Sequence, residues 1–205
     1  MKDAAGEGEM RYPPDHKQKA RAALLQAGMR SMKVNGFNGV GVDGLAAAAD
    51  VTSGAFYSNF PNKEAMLEAI VEAGVGEPLL SDTESGSKAE RRAQLKKFLA
   101  EYLNADHVSD PAEGCVMPAL SADVGRAGTA ARLAYERKIT AMAGRVADLL
   151  DGARADRERR AWSIVSLIVG AVSISRAMSD AASQAAVIAA AQRTVDKLVA
   201  PVKRP

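Results

Sequence analysis

The stretch VTSGAFYSNFPNKEAM, residues 51–66, is the part of the chain that decides the predicted fold. It holds three aromatic residues, although aromatic residues make up only 4% of the chain. Thr52 or Ser53 can cap a helix here, because a hydroxyl oxygen accepts hydrogen bonds from the free amides of a first helical turn. Pro61 and Asn62 separate this helix from the next one. The stretch therefore predicts two helices that follow one another closely.

The residues just before this stretch predict a partner helix. Residues 42–49 are mostly small, so a second helix can cross them at short distance. Asp50 stands at the turn, where a left-handed conformation is expected; glycine takes that conformation freely and aspartate at modest cost. Two short helices joined by a tight turn predict a helix-turn-helix, whose second helix enters the major groove of DNA. The small residues at its start, Thr52 to Ala55, would allow close approach to the base edges.

The three aromatic residues have separate predicted roles. Phe56 and Phe60 are expected to form the core that holds the short helices, while Tyr57 points outward and can reach a phosphate. Asn62 is the expected cap of the next helix and Lys63 its first residue. Free amides, the helix dipole and the lysine charge together suit a DNA phosphate. The alternative is that all three aromatic residues are core and Lys63 is an ordinary surface residue.

Composition limits the function classes. The chain has 205 residues, 47% of them hydrophobic, and a formal net charge of +2, so overall charge does not indicate nucleic acid. Residues 16–40 nevertheless contain five basic residues and no acid. A local basic face can bind phosphate. A solvated helix face is the alternative interpretation.

Catalytic and metal chemistry find little support. Cys115 is the only cysteine, and the two histidines are far apart, so neither a thiolate metal cluster nor a nucleophile–base set is indicated. The start of the chain is polar and lacks the apolar core of a secretory signal. The most apolar run, residues 161–175, is shorter than the roughly 18–20 residues of a membrane span. We expect a cytoplasmic protein that is not an enzyme and has no cofactor or metal.

The predicted fold class is all-α. No run shows the alternation typical of a strand, and helix-forming residues dominate. Residues 1–14 are predicted to be a disordered arm, and residues 15–74 a three-helix helix-turn-helix domain that includes the start of a connecting helix. Residues 75–205 are predicted to be a larger helical domain, in which residues 105–114 form a loop with His107 on its surface. The boundary is expected in the Gly-, Ser- and acid-rich residues 74–88.

The order and spacing of these motifs resemble the TetR family of bacterial transcriptional regulators. The elements are LLQAGMRSM, VDGLAAAADV, TSGAFYSNF and PNKEAMLEAI, all within residues 24–74. The chain departs from the family pattern at several positions, with Asp50 where glycine is usual, Asn59 where histidine is frequent, and Gly41 where serine often caps the second helix. The resemblance implies a DNA-binding domain followed by an effector-binding and dimerisation domain.

The resemblance also implies site residues. Thr52, Ser53 and Gly54 correspond to the base-facing start of the recognition helix, and none of the three makes the bidentate base contacts from which an operator is inferred. Tyr57 and Lys63 correspond to backbone-anchoring positions. The DNA-binding positions expected in total are Gly41, Val42, Thr52, Ser53, Gly54, Tyr57, Asn59 and Lys63.

The second domain is expected to form a homodimer and to hold an effector. The last two helices are apolar on more than one side, which indicates burial on both sides, and the expected interface residues are Val165, Val169, Val172, Ala186 and Ala190. The candidate effector-lining residues are Phe98, Tyr102, Met117, Tyr135, Met142 and Trp162. A monomer with a central helix, and plain core packing of the candidate lining, are the alternatives. Cys115 is expected to be a buried thiol, with an oxidation sensor as the alternative.

The sequence thus favours a homodimeric repressor that is released from a palindromic DNA operator by a small, apolar effector. A two-fold dimer would place its recognition helices one DNA turn apart, about 34–36 Å. The alternative from another class is a helical small-molecule-binding protein or enzyme that does not bind DNA. Salt-dependent retention on DNA separates the two hypotheses.

Overall fold

A computed structural model of the chain describes residues 14–77, 79 and 86–201, and all the regular structure in these ranges is helical. The predicted all-α class is therefore confirmed. The helices are α1 (Pro14–Asn35), α2 (Val42–Ala48), α3 (Ser53–Asn59), α4 (Lys63–Gly74), α5 (Lys88–Tyr102), α6 (Ala105–Ser109), α7 (Val116–Arg126), α8 (Thr129–Leu149), α9 (Arg154–Arg176) and α10 (Ala181–Val199). In these ranges none has the length and apolarity to cross a membrane. Apart from Pro14, the predicted arm lies outside the described residues, as does much of the predicted boundary.

The short helices begin where their sequence predicts. The Thr52 side chain accepts a hydrogen bond from the Ala55 amide at 3.2 Å, and Asn62 Oδ1 accepts one from the Ala65 amide at 2.8 Å. Both predicted caps are confirmed. Each satisfies an amide that the helix itself leaves free, which is typically worth about 1 kcal/mol.

The turn between α2 and α3 depends on the backbone of Asp50. Its φ is +54°, and it is the one non-glycine residue with a positive φ in the described part of the chain. The predicted left-handed turn is therefore confirmed. The next amide, that of Val51, donates to the Ala46 carbonyl at 3.0 Å. This bond closes the turn and sets the angle at which α3 leaves α2.

Helices α1 to α4 form a small unit, here called the head, around an aromatic core. Phe56 and Phe60 are 0% and 1% exposed, which confirms their predicted place, and they pack with Leu24, Met32 and Leu45. Their ring centroids are 5.9 Å apart. α3 has only seven residues and would not be stable in isolation, so this packing is what holds it.

Helix α1 also contacts the remaining helices, α5 to α10, here called the body. Lys33 Nζ donates to the Gly114 carbonyl at 2.8 Å, and just beyond α1 the Phe37 amide donates to Asp123 Oδ2 at 3.1 Å. On α4, a side chain at Gly74 would lie 2.8 Å from Val116, so α4 and α7 approach closely there. The head is therefore held on the body by α1 as well as by the connection through α4.

The core of the body lies between α8, α9 and α10. Helix α9 contributes Ile164, Val165, Ile168 and Val172, all buried. Near its start, the buried Arg160 donates to the Leu198 carbonyl and to Asp156 Oδ2, both at 2.8 Å. A guanidinium with these partners is tolerated in the interior, because its charge is paired and its N–H groups are bonded.

Residues 105–114 differ from the predicted loop. They begin with the one-and-a-half-turn helix α6, capped by Asn104, whose Oδ1 accepts from the His107 amide at 2.7 Å. Helix α6 has five residues, too few to show a hydrophobic period. The prediction that His107 is a surface residue was wrong, since both of its ring nitrogens are engaged inside the protein.

The head core supports a stability prediction. Phe56→Ala leaves a cavity between α1, α2 and α3 and should lower the free energy of unfolding by about 3–5 kcal/mol. The measurement is urea unfolding followed by circular dichroism. Ser58→Ala, at an exposed position of the same helix, is the control and should stay within about 0.5 kcal/mol of the wild type. Equal losses from the two variants would contradict an aromatic core at this position.

Candidate nucleic-acid interface

The start of α3 is exposed and built from small residues. Thr52 and Gly54 are exposed, and Tyr57, one turn later, is 57% exposed. The Tyr57 ring stands edge-on to the buried Phe56 ring at 5.5 Å, which fixes the direction of its hydroxyl. Burial of one aromatic neighbour therefore positions the other outward, as predicted.

The Ser53 hydroxyl is already hydrogen-bonded within the protein, although its sequence position suggests an exposed side chain. Its hydroxyl donates to Asp43 Oδ1 at 2.6 Å, and the residue is half-buried. This bond ties the first turn of α3 to the first turn of α2. Ser53 accordingly orients α3, and its hydroxyl oxygen retains lone pairs for a further donor.

Two glycines at this surface are not required by the packing of the chain itself. A Cβ at Gly41 would meet nothing within 4 Å, and one at Gly54 would meet only the Thr52 hydroxyl oxygen, at 3.7 Å. Gly41 caps α2 without a side-chain hydrogen bond. Neither position has a positive φ. Glycine there weakens the helices slightly, so close approach by another molecule is a physical reason for it.

Lys63 is directed at the loop between α1 and α2. Its Nζ donates to the carbonyls of Phe37 and Val40 at 2.7 and 3.0 Å and lies 4.4 Å from the centre of the Phe37 ring. One of its three protons remains available. The lysine thus holds the loop that leads into α2, where Gly41 and the half-buried Val42 lie.

Asn59 and Arg21 meet at the end of α3. The Asn59 side chain turns back onto its own helix, where Nδ2 donates to the Ala55 carbonyl at 2.8 Å. Arg21 donates to the Asn59 backbone carbonyl at 2.5 Å and stacks 4.3 Å above the Phe60 ring. A cation at a helix C-terminus is favourable. The role of Arg21 is not visible in the sequence beyond its place in the basic run of α1, because the contact spans 38 residues.

A cavity of about 750 Å³ lies between the head and the body. Of the six candidate lining residues, Phe98 and Tyr102 line it and the other four do not. Met117 and Met142 are buried in the core, and the Tyr135 hydroxyl is bonded to Ser121 Oγ at 2.6 Å. Trp162 is 42% exposed on the outside of α9. Residue type and helical spacing cannot separate a lining residue from a core residue.

Some of the predicted dimer residues are core residues of one protomer, and others are at least partly exposed. Val165 and Val172 are 1% and 0% exposed within one protomer, so they are core residues and not part of an exposed face. Val169 is half-buried, and Ala186 and Ala190 are exposed on α10. The side of α9 that faces outward instead carries a ridge at intervals of four residues, formed by Trp162, Ser166, Gly170 and Ile174.

Comparison with known proteins is consistent with this geometry. Residues 24–70 match the family model described as bacterial regulatory proteins, tetR family. No curated protein sequence matches the chain. Among solved structures, E. coli NemR in its reduced form is 21% identical and superposes with a TM-score of 0.71, over 90% of this chain and 99% of its own.

Two further structures have the same fold. A TetR-family regulator from Cytophaga hutchinsonii is 20% identical with a TM-score of 0.75, over 94% of this chain and all of its own. A TetR regulatory protein from Rhodobacter sphaeroides is 21% identical with a TM-score of 0.68, over 88% and 99%. Residues 24–70 thus carry a match to the amino-terminal module of the TetR family, and the chain has the fold of these solved structures.

Proposed function

We propose that the chain is a homodimeric repressor that binds a palindromic operator through α3 and is released by a small effector with an apolar body. The observation that carries the DNA-binding part is the exposed, small-residue start of α3 on a capped and closed turn. An α-helix fits the major groove of B-DNA, and side chains as small as these let its backbone come close to the bases.

The proposed interface has two layers. Gly41, Thr52, Gly54 and Tyr57 are exposed and would face the DNA directly. Val42, Ser53, Asn59 and Lys63 are half-buried and would act mainly by holding the two helices and the loop before them. Phosphate contacts would supply affinity that falls with salt, and contacts with base edges the choice of sequence.

The exposed ridge on α9 and the face of α10 that carries Ala186 and Ala190 support the dimer. Small residues along a helix allow a second helix to pack at short distance, and ridges at intervals of four residues interlock with each other. Trp162 and Ile174 supply large apolar groups at the two ends of the ridge. Such a two-fold pairing would place two copies of α3 about one DNA turn apart.

Gly54 provides a test that separates DNA binding from folding. Gly54→Leu should leave the free energy of unfolding unchanged or raise it by up to about 1 kcal/mol, because leucine favours helix and the space is open. The same side chain should lower operator affinity at least about tenfold by holding α3 away from the bases. Fluorescence anisotropy with DNA fragments from upstream of the gene measures this.

The matched control is Gly144→Leu, in the middle of α8, where a Cβ would also meet nothing within 4 Å. It should bind DNA like the wild type. Equal affinities of the Gly54 and Gly144 variants for every DNA tested would favour the alternative, a helical small-molecule-binding protein without DNA binding.

Tyr57 tests the phosphate contact. Tyr57→Phe keeps the ring against Phe56 and removes only the hydroxyl, so it should cost about 1 kcal/mol, or roughly fivefold in affinity. The loss should be the same on operator and on random DNA, because a phosphate contact carries no sequence information. A loss confined to the operator would instead place the hydroxyl on a base edge.

The ridge on α9 yields a prediction about assembly. Gly170→Arg places a long charged side chain where the partner helix would pack and should convert the dimer to a monomer at micromolar concentration. Analytical ultracentrifugation measures the change. Gly144→Arg is the control for the added arginine. If the molar mass of the Gly170→Arg variant equals that of the wild type, the ridge on α9 is not the dimer interface.

A further inference from the structure

The cavity between the head and the body is lined by both apolar and polar residues. The apolar lining includes Met29, Phe98 and Val116, and the polar side chains Lys33, Tyr102 and His107 are here called its floor. Lys33 belongs to α1 of the head, whereas Tyr102 closes α5 of the body. A molecule in this cavity would therefore contact both units at once.

The floor presents donors that the protein does not use fully. The Tyr102 hydroxyl is buried and has no hydrogen-bond partner within the described residues; its neighbour there is the Cys115 thiol, and sulfur is a weak acceptor. Arg176 Nη1 is likewise buried without a partner in that part of the chain. Lys33 is almost fully buried, and of its three protons one is donated, to the Gly114 carbonyl. Buried donors of this kind call for an acceptor.

His107 adds no charge and no further donor to the floor. The Cys115 amide donates to its Nε2 at 2.9 Å, so Nε2 must be unprotonated. The proton therefore lies on Nδ1, which donates to the Tyr102 carbonyl at 2.6 Å. Burial lowers the pKa of His107, and the positive charges of Arg176 and Lys33 act in the same direction. The neutral ring thus links α5 to the segment that holds Cys115 through one hydrogen bond at each nitrogen.

Lys33 in the floor and Arg176 behind it are both positive, and Glu113 is the acid whose charge acts most strongly on Lys33. Arg176 lies behind Gly114, where an added Cβ would come within 2.6 Å of its Nη2 and of the His107 ring. Burial lowers the pKa of Lys33, and the negative charge of Glu113 offsets this effect only in part. An anion placed against it would relieve this cost.

The acidic residues of the cavity lie at its rim. Glu113 is paired with Arg30 at 2.9 Å, Glu101 with Lys97 at 3.8 Å and Glu77 with Lys138 at 3.9 Å. Asp106 and Asp110 are exposed. Charges in contact with water are screened far more strongly than buried ones. The buried groups of the floor therefore have the larger effect on whether the cavity favours a negatively or a positively charged ligand.

We propose that this cavity binds a small carboxylic acid with an apolar body, whose carboxylate accepts hydrogen bonds from Lys33 and Tyr102. The apolar body would lie against Phe98, Met29 and Val116. Arg176 would add its charge from behind Gly114. A carboxylate satisfies both donors at once and neutralises a buried cation, which a neutral ligand cannot do.

The regulatory consequence rests on the function proposed above. A carboxylate that accepts a hydrogen bond from Lys33 would draw the ammonium group towards the ligand and away from the Gly114 carbonyl, and so weaken one of the hydrogen bonds that hold α1 on the body. Acid binding would thereby shift α1 and, through it, α3. The coupling must be reciprocal, so operator DNA should weaken acid binding by the same factor by which the acid weakens DNA binding.

The test compares matched acids and amides on the full chain without DNA. The probes for isothermal titration calorimetry are octanoate with octanamide, and 4-phenylbutyrate with 4-phenylbutanamide. Each pair differs only in whether the molecule ends in a carboxylate or an amide. Each acid should bind at least about tenfold more tightly than its amide. Equal binding of acid and amide, or binding of neither probe pair at millimolar concentration, would overturn the proposal.

Two substitutions test where the carboxylate of the ligand binds. Lys33→Met should weaken acid binding at least about tenfold and Tyr102→Phe about fivefold, with little effect on the amides. Tyr102→Phe keeps the ring contacts with Phe98 and His107, so its fold is expected to survive. Lys96→Met, at an exposed position on α5 that does not line the cavity, is the control. Unchanged acid binding in both floor variants would place the acid elsewhere.

The two proposals fail separately. Acid binding measured without DNA, combined with no effect of Gly54→Leu on DNA binding, would retain the carboxylate site and remove the repressor. DNA binding that depends on Gly54, combined with no preference for acids, would retain the regulator and remove the carboxylate site. Acid binding and DNA binding that are both present but independent would remove only the coupling through Lys33.

Discussion

The packing of Phe56 and Phe60 against α1 is the contact on which the geometry of the proposed DNA-binding surface depends. Phe56 lies in the seven-residue helix α3 and Phe60 directly follows its last residue, and both rings are buried. Thr52, Gly54 and Tyr57, on the other side, are exposed for this reason. The same contact explains why so short a helix is stable, since propensity alone would not hold it.

Helix α1 extends this constraint to the rest of the molecule. One of its sides supplies Leu24 and Met32 to the core of the head. Its last turn supplies Lys33 to the floor of the cavity, bonded to Gly114. A single helix thus contacts both the core that supports α3 and the cavity. A change in the partner of Lys33 therefore acts on the element against which α3 is packed.

Glycines in this chain differ in whether the packing of the protein leaves room for a side chain. Gly28 and Gly74 are needed because a side chain would collide with Met66 and Val116, where helices cross closely. Gly41 and Gly54 have open space around them, so the packing of the chain does not require glycine there, and the proposed approach of DNA would. The distinction is useful because it separates packing from binding at positions that look alike in a sequence.

The sequence by itself determined the elements whose signals are local. The caps Thr52 and Asn62, the left-handed turn at Asp50 and the inward direction of Phe56 and Phe60 each depend on residues within one or two helical turns. Those features were predicted correctly, and so was the all-α class. The family resemblance also rests on this local spacing.

Only the tertiary structure decided which residues meet across the chain. Helix α6 was missed because five residues show no period, and His107 was misplaced because its partners, the Tyr102 carbonyl and the Cys115 amide, become close only when the chain folds. Val165 and Val172 looked like an interface because an apolar stripe indicates burial without saying against what. Lys33 was one of five cations in a basic run, and it lies in the cavity because α1 packs against a segment 81 residues away. Local propensities act over a few residues, whereas burial and electrostatic environment depend on the whole fold.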